Sequence, residues 1–498
     1  MEKSDLALTR RRFLGAVGTG ALGLGLAACG STGGSGSTGG TARPKGGSSA
    51  KLPDWLASKA KSYQGHTLNV IASQQYFQTT NTDFTAACQA FAQQTGTTVN
   101  VSVLNVDSGN IVPREDAAVK AGNPPDCAFI DPSRFAAQYF QLGDIVPVNS
   151  AVQDMVAHYG QPMSINEVYL KLGPNKDWYG IPFFSLINGW FARKDWLQAK
   201  GIKTKEFLPG PITLDKLRDI ALEISDPSQQ RYGWGLTFNN SGDGGGTIGW
   251  VLNAYGAAVN DDTGKKVIFG EGQYAEPTKE AISWLVDTYS SPKYKNMLPP
   301  GVFGWTDTSN NEAWLAGTIG FTQNAYSLYA QSKATGNPVY HETLLFNGPI
   351  GPAVKKPLLF GASEAFVIFK GAKEPQLAEI LAQYVAYGAG FLQMVKDSVG
   401  LVLPAYEQVW NSNPYYLKGD PAFKPQYQGL TQPVPIATTT GLHFPQTASS
   451  AGQAVTSTYV LNDMLGDIVN KKTTLSEGIA TAQQRMKSIF EQQGFPQS

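Results

Sequence analysis

The chain has 498 residues, only 16% of them charged, with 39 Lys and Arg balanced by 39 Asp and Glu. No basic excess exists to neutralise phosphates, which excludes a nucleic-acid partner. A hydrophobic share of 42%, with 24 Phe, 21 Tyr and 10 Trp, can fill a core and excludes a disordered chain.

In chain order the first signal concerns export. Thr9-Arg10-Arg11-Arg12-Phe13-Leu14 sets paired arginines before an apolar run and resembles a twin-arginine export signal. The run Phe13 to Ala28 is 16 residues long with five glycines. A spanning helix needs about 20 residues, so the run reads as a signal segment. Leu26-Ala27-Ala28-Cys29 then resembles a lipobox, in which the Cys29 thiol is acylated and becomes the new N-terminus. Residues 30–50 hold eight Gly, five Ser and three Thr, the composition of a flexible tether. The expected divisions are a signal peptide over 1–28 and a tether over 29–51. Loss of the signal takes four basic and two acidic groups from the balanced total, leaving a net charge of −2. No later apolar run reaches spanning length, so the mature protein is expected outside the cytoplasm, held to the membrane by lipid. Two cysteines remain, Cys88 and Cys127. An exported protein permits their disulfide, while the helical pattern around Cys88 and the strand around Cys127 suit two core thiols.

The body opens with a short apolar strand, Leu68-Asn69-Val70-Ile71, and a polar loop over 73–80. Phe84, Ala87, Cys88, Phe91 and Ala92 recur at helical spacing. Val99 to Leu104 alternates as a strand, Ile111 to Ala121 reads as a helix, and Asp126 to Ile130 as a third strand. Strands alternating with helices predict a parallel sheet covered on both faces. Ligands of such sheets sit at the carboxyl ends of the strands, which places Ser73–Tyr76 and Asp131–Arg134 on one rim. Further on, Gly233 to Phe238 reads as a strand. Thr213 is a helix N-cap, and Thr474 with Glu477 forms a capping-box pattern before a stripe of Leu475, Ile479, Met486, Ile489 and Phe490.

With these elements in place, an ordered series of motifs resembles extracellular solute-binding proteins of the maltodextrin-binding type, the capture subunits of ABC importers. Phe91-Ala-Gln-Gln-Thr-Gly96 before Val99 looks like the family's first helix and its glycine turn. Ala121-Gly122-Asn123-Pro124-Pro125-Asp126 looks like the entry to the third strand, and Leu142-Gly143-Asp144-Ile145-Val146-Pro147 like the segment after it. Tyr179-Gly180-Ile181-Pro182-Phe183 and Trp190 to Asp195 resemble the first crossing between lobes. Pro211-Ile212-Thr213-Leu214-Asp215 and Ala316-Gly317 through Gly320-Phe321 continue the series. The resemblance implies an α/β fold of two periplasmic-binding-protein-like lobes, joined by hinge strands around an interlobe cleft. The implied N-lobe is 52–185 plus about 366–404, and the C-lobe about 190–360 plus 408–498. Crossings are expected near Ser185–Gly189, Phe360–Ala365 and Pro404–Tyr406. The implied partners are a small solute, two permease subunits and their ATPase, around a monomeric receptor that closes by hinge bending.

A hydrolase is the competing class. The four histidines, His66, His158, His341 and His443, fall in no metal-binding spacing, and neither G-x-S-x-G nor Cys-x-x-Cys occurs. G-x-G-x-x-G occurs three times: in the signal, in the tether, and at Gly244-Gly-Gly246-Thr-Ile-Gly249. The third lacks the acidic residue that a dinucleotide site needs ~20 positions on. It reads instead as a loop presenting helix N-terminal amides to a ligand. Spacing does not decide against a converging carboxylate pair of a glycosidase; the resemblance to a binding family does. No cofactor or resident metal is expected.

Sugars offer hydroxyl edges and apolar faces, so their sites join flat aromatics to amides, carboxylates and Arg. The resemblance puts Tyr76, Trp190, Trp250, Trp305 and Tyr326 at cleft positions. It adds Asp131, Ser133 and Arg134 on the rim turn, Ser185 at the first crossing, Asn324 in a ligand loop, and Ser363 and Glu364 near the second crossing. Thr458 stands where maltodextrin binders carry a stacking Trp, which turns the expectation from maltodextrin toward another sugar or oligosaccharide. Two alternatives share the fold. A polyamine would use Asp131, Asp243, Asp307 and Glu364, and a ferric ion would use the adjacent Tyr415 and Tyr416.

Overall fold

The computed structural model describes residues 51–105, 111–207, 212–346, 348–355, 357, 359–431, 436–437 and 449–497. The export signal, Cys29, the tether through residue 50, and His443 lie outside these residues.

Thr67–Ser73 pairs in parallel with Thr98–Leu104 on one side and with Cys127–Ile130 on the other. The intervening helix Gln78–Thr95 buries Phe84, Ala87, Cys88, Phe91 and Ala92, as their spacing predicts. It stops at Gly96, whose φ of +69° makes a left-handed cap with its N–H bonded to the Ala92 carbonyl. Helix Pro132–Leu142 follows the third strand, starting from an Asp131 N-cap with Pro132 in the first turn. The β-α alternation of the sequence therefore folds as expected. Cys88 and Cys127 are both buried free thiols.

Two long strands extend this sheet. Ile181–Arg193 pairs through Ile181–Asn188 with Leu359–Ile368, and through Asn188–Ala192 with Ile319–Ala325. At 13 residues it spans about 40 Å, more than twice an ordinary strand. Leu359–Ile368 also pairs with Cys127–Ile130, and its register shifts between Glu364 and Ala365. The resulting order is Thr98–Leu104, Thr67–Ser73, Cys127–Ile130, Leu359–Ile368, Ile181–Arg193, Ile319–Ala325, Tyr232–Trp234. The strand expected over Gly233–Phe238 is shorter, Tyr232–Trp234. Beyond it Gly235 still donates to the Phe321 carbonyl, and the chain then turns into the cleft.

Apolar packing divides into two clusters. The first gathers Leu68, Phe84, Phe129, Phe183 and Phe366, and the second Trp190, Leu217, Trp250, Leu285 and Phe490. Thr213 caps its helix as expected, its Oγ accepting from the Lys216 N–H at 3.2 Å. Thr474 and Glu477 complete both halves of their capping box. The sequence reading placed 408–498 with the C-lobe, and part of that span packs in the first cluster. Val409, Trp410, Tyr416, Phe423 and Leu430 belong to the first cluster. The cause is Leu403–Pro404, which pairs with Ser185 and Phe184 and delivers the following helices to that side. Trp314, Tyr326, Leu328 and Tyr329 join the first cluster too. Tyr329 donates to buried Asp420 at 3.0 Å, and Lys333 pairs with the same carboxylate.

Helix Gln78–Thr95 packs on helix Gly388–Asp397 and brings Asp83 beside Asp397. Burial, and then the Asp397 charge, push the Asp83 carboxyl up to about 7. In the unfolded chain it titrates near ~3.9. The folded state thus holds a proton that the unfolded chain releases, and the stability this contributes is lost as pH rises from about 4 to about 7. Asp83→Asn should therefore raise Tm more at pH 8 than at pH 5. Thermal denaturation at both values checks this, and an equal Tm change at the two would contradict it.

Candidate functional site

A cavity of about 580 Å³ opens where the sheet passes from one apolar cluster to the other. On the first-cluster side its wall is Gln74, Gln75 and Tyr76, after the first strand, with Asp131, Ser133 and Arg134, after the third. Leu186 and Asn188 come from the long strand and Gly361 from its partner. The opposite side supplies Ser241 to Asp243, Gly245, Gly246, Asp307, Thr308, Asn311, and Gln323 to Ala325. Gln453, Thr456, Ser457 and Tyr459 close it. Much of this wall is loops and helix starts at strand ends, where the unspent backbone and short polar side chains of an α/β sheet collect.

Each acidic group has a structural anchor. The Asp131 carboxylate accepts from the Ser133 N–H at 2.8 Å and from Ser133 Oγ at 2.5 Å. Burial raises its pKa, and neighbouring Arg134 opposes the rise. Glu364, 8% exposed, lies behind them with Oε2 unbonded among the described residues. Burial, reinforced by Asp131, holds its pKa well above the usual carboxylate range, against Arg134 and a hydrogen bond from Gln75.

The opposite wall is built on helix Gly242–Tyr255. Ser241 Oγ caps it by accepting from the Gly244 N–H at 3.0 Å. Asp307 Oδ1 accepts from the Asp243 N–H at 2.8 Å, and Asp243 Oδ2 from Asn310 Nδ2 at 2.8 Å. Burial first, then the Asp307 charge, raise the Asp243 pKa well above normal. Behind them Asn324 donates to the side-chain oxygens of Asn310 and Asn311, and Asn311 donates to Ser327 Oγ at 3.0 Å. This amide network fixes the wall before any ligand arrives.

Six of the expected site residues line the cavity: Tyr76, Asp131, Ser133, Arg134, Asp243 and Asn324. The others lie elsewhere. Ser185 is fully buried beside Asn166, whose Nδ2 donates to its Oγ at 3.2 Å, and Ser363 is fully buried one residue before Glu364. Trp190 and Trp250 are each 2% exposed and pack edge to face at 5.5 Å in the second cluster. Tyr326 packs on Phe191 at 5.4 Å and over Gly189. Trp305 leans on the first cluster and offers its carbonyl to Asn239. Trp190, Trp250 and Tyr326 fill core because the segments that carry or precede them are buried on nearly every face, polar residues included, so no exposed side marks a cleft. Tyr415 and Tyr416 do not line the cavity either, and Tyr416 is buried against Phe391. The described residues contain no group of three or more His, Cys, Asp or Glu arranged to hold a metal.

Sequence reasoning missed Asn188, Asn311, Gln453 and Tyr459. Tyr459 left one trace, the neighbouring Thr458 at the stacking position. Its backbone stands at φ +54°, the left-handed region that costs a bulky residue about 1–2 kcal/mol. The third glycine motif also has a local cause. A Cβ at Gly244 would lie 2.0 Å from the Asn239 carbonyl oxygen, whereas at Gly245 and Gly246 it would make only ordinary contacts, with Asn462 Oδ1 at 4.0 Å and Gln323 Oε1 at 3.6 Å.

A discontinuous two-cluster α/β fold joined by long strands, with a polar cleft between the clusters, is an arrangement suited to a receptor for small solutes. Residues 86–425 match the family model described as bacterial extracellular solute-binding protein, and the chain belongs to that family. It is a binding protein of ABC transporters rather than an enzyme. A search of curated proteins finds no match. Solved structures agree in fold across most of the chain. A Thermotoga lettingae solute-binding protein bound to α-D-tagatose is 17% identical, with a TM-score of 0.66 over 86% of this chain and 100% of its own. The maltose-bound T. maritima MalE3 gives 16% and 0.66 over 85% and 100%. A protein from Agrobacterium vitis with bound D-mannitol gives 18% and 0.65 over 87% and 100%. The fold is the periplasmic-binding-protein fold that the motif series implied.

Proposed function

We propose that the chain captures a sugar or a sugar-like polyol in this cleft and delivers it to an ABC importer. The observation that carries the reading is the composition of the wall. Two tyrosine rings, Tyr76 and Tyr459, stand among eight Asn and Gln side chains, with Arg134 the single cation among the described lining residues. Rings suit the apolar faces of a sugar, and fixed amides suit its hydroxyls. Tyr459 takes the stacking role expected of Trp250 and Tyr326, and its strained backbone fits a residue held in place for a ligand. The structural neighbours that bind tagatose, maltose and mannitol support the same class.

The same proposal includes anchoring and delivery. Acylated Cys29 and the tether keep a monomeric receptor at the outer membrane face, and no described helix is long and apolar enough to cross it. Two lobes meet along Ile181–Arg193 and Leu359–Ile368, the 408–430 segment belonging to the first. A ligand touching both favours the closed state through its differential affinity. The permease subunits and their ATPase lie on other chains.

A thermal-shift panel of sugars, polyols, polyamines, amino acids and ferric citrate tests the reading. A solute at about 100 times Kd stabilises by about 2.7 kcal/mol, and the shift should come from a sugar or polyol. A shift from ferric citrate or an amino acid alone would contradict it.

A further inference from the structure

The cleft is not electrically even, and the imbalance selects among sugar-like solutes. We propose that the solute is an amino-substituted saccharide or polyol whose protonated amine seats against Asp243 and Asp307. The proposal rests on the sugar-like reading above and narrows it to a subclass.

Both carboxylates line the cavity. Each spends one oxygen on the protein, Asp307 Oδ1 on the Asp243 N–H and Asp243 Oδ2 on Asn310. Their second oxygens accept no hydrogen bond from the described residues. No Lys or Arg among those residues pairs with either, and the charged neighbour among them that acts on Asp243 is Asp307. The positive end of helix Gly242–Tyr255 accounts for one of the two, since Asp307 takes an N–H of its first turn. It leaves the Asp243 charge without a counter-charge.

A second acceptor in the same cavity is also unmet. Gln453 is 1% exposed and lines the cleft, with Nε2 donating to the Pro132 carbonyl at 3.2 Å and Oε1 without a partner among the described residues. A buried acceptor left unmet costs about 1–3 kcal/mol, so the site calls for a ligand rich in donors. Sugar hydroxyls can donate to Gln453. Two adjacent carboxylates ask for more, and an ammonium provides three donors together with the missing charge.

The other wall sets a limit on that charge. Arg134 lies beside Asp131 and Glu364 and already offsets them. A second ammonium at that end would meet the guanidinium, which disfavours a linear polyamine. The cleft is also lined by uncharged Asn188, Asn311 and Gln323, partners for hydroxyls. One amine at one end of a hydroxylated body fits all three regions.

The test is calorimetric titration of the mature protein with matched probes that differ at one substituent. Glucosaminyl-β-1,4-glucose, cellobiose and N-acetylglucosaminyl-β-1,4-glucose form one set. Glucosamine with glucose, galactosamine with galactose, and 1-amino-1-deoxysorbitol with sorbitol form further pairs, and spermidine stands alone. In at least one set the amine should bind about tenfold or more tighter than its hydroxyl or acetylated counterpart, and added salt should shrink that ratio. Asp307→Asn and, separately, Asp243→Asn should bring the ratio towards one, with unliganded Tm measured for each as a folding control. Hydroxyl members binding as well as amines, or binding while no amine does, would overturn the amine and leave the sugar-like reading standing. Spermidine binding without any saccharide or polyol would overturn both. So would a panel in which nothing binds.

Discussion

Trp250→Ala should cost about 3–5 kcal/mol of folding stability and leave the affinity of the folded protein for its solute unchanged. The indole is 2% exposed and packs edge to face on Trp190 at 5.5 Å. The Gly348 backbone lies directly against the pair, since a Cβ there would stand 2.5 Å from Trp190 and 3.2 Å from Trp250. Such a close fit cannot collapse to fill the space an indole leaves, so the transfer loss and the cavity add. Urea denaturation gives the stability and calorimetry the affinity. A large affinity loss with normal stability would return Trp250 to the cleft wall.

Gly244→Ala is expected to be of the same size, about 3 kcal/mol or more, for the opposite reason of overpacking. The added methyl would sit 2.0 Å from the Asn239 carbonyl oxygen and 2.9 Å from the Phe238 carbonyl carbon. Both are backbone atoms, so neither can swing aside as a flexible side chain would. Relief requires the start of helix Gly242–Tyr255 to move, together with the Ser241 cap and the Asp307 bond to the Asp243 N–H. The denaturation midpoint should fall clearly. A midpoint within error of the parent would show that the approach of helix and turn is not a constraint.

Much of the first half of the fold was legible. Apolar runs at Leu68 and Cys127, helical spacing from Phe84 to Ala92, and the rule that ligands gather at strand carboxyl ends located Tyr76 and Asp131–Arg134 before any coordinates. The rest depended on packing that sequence does not display. Thr247 to Ala254 is buried all round, so periodicity gives no hint which way Trp250 faces. Tyr326 follows a strand buried from Ile319 to Asn324, with the same loss of signal. Asn188 and Gln323 line the cleft because two strands happen to meet there, a pairing set by sheet order rather than by local residues. The path of 408–430 turned on the two-residue strand Leu403–Pro404, too short to carry a pattern.

The central claim is that solute binds in the cleft between Arg134 and the glycine-rich helix. Gly245 lines that cleft on a helical backbone, and a Cβ there would meet nothing closer than Asn462 Oδ1 at 4.0 Å. Gly245→Trp therefore sets an indole on the cleft wall with no clash at its Cβ. The most direct measurement is a thermal-shift titration of this variant beside the parent, using whichever solute of the panel binds best. The unliganded variant should melt within about 3 °C of the parent, and the solute-induced shift should disappear. A full shift in the blocked variant would place the solute elsewhere and contradict the account.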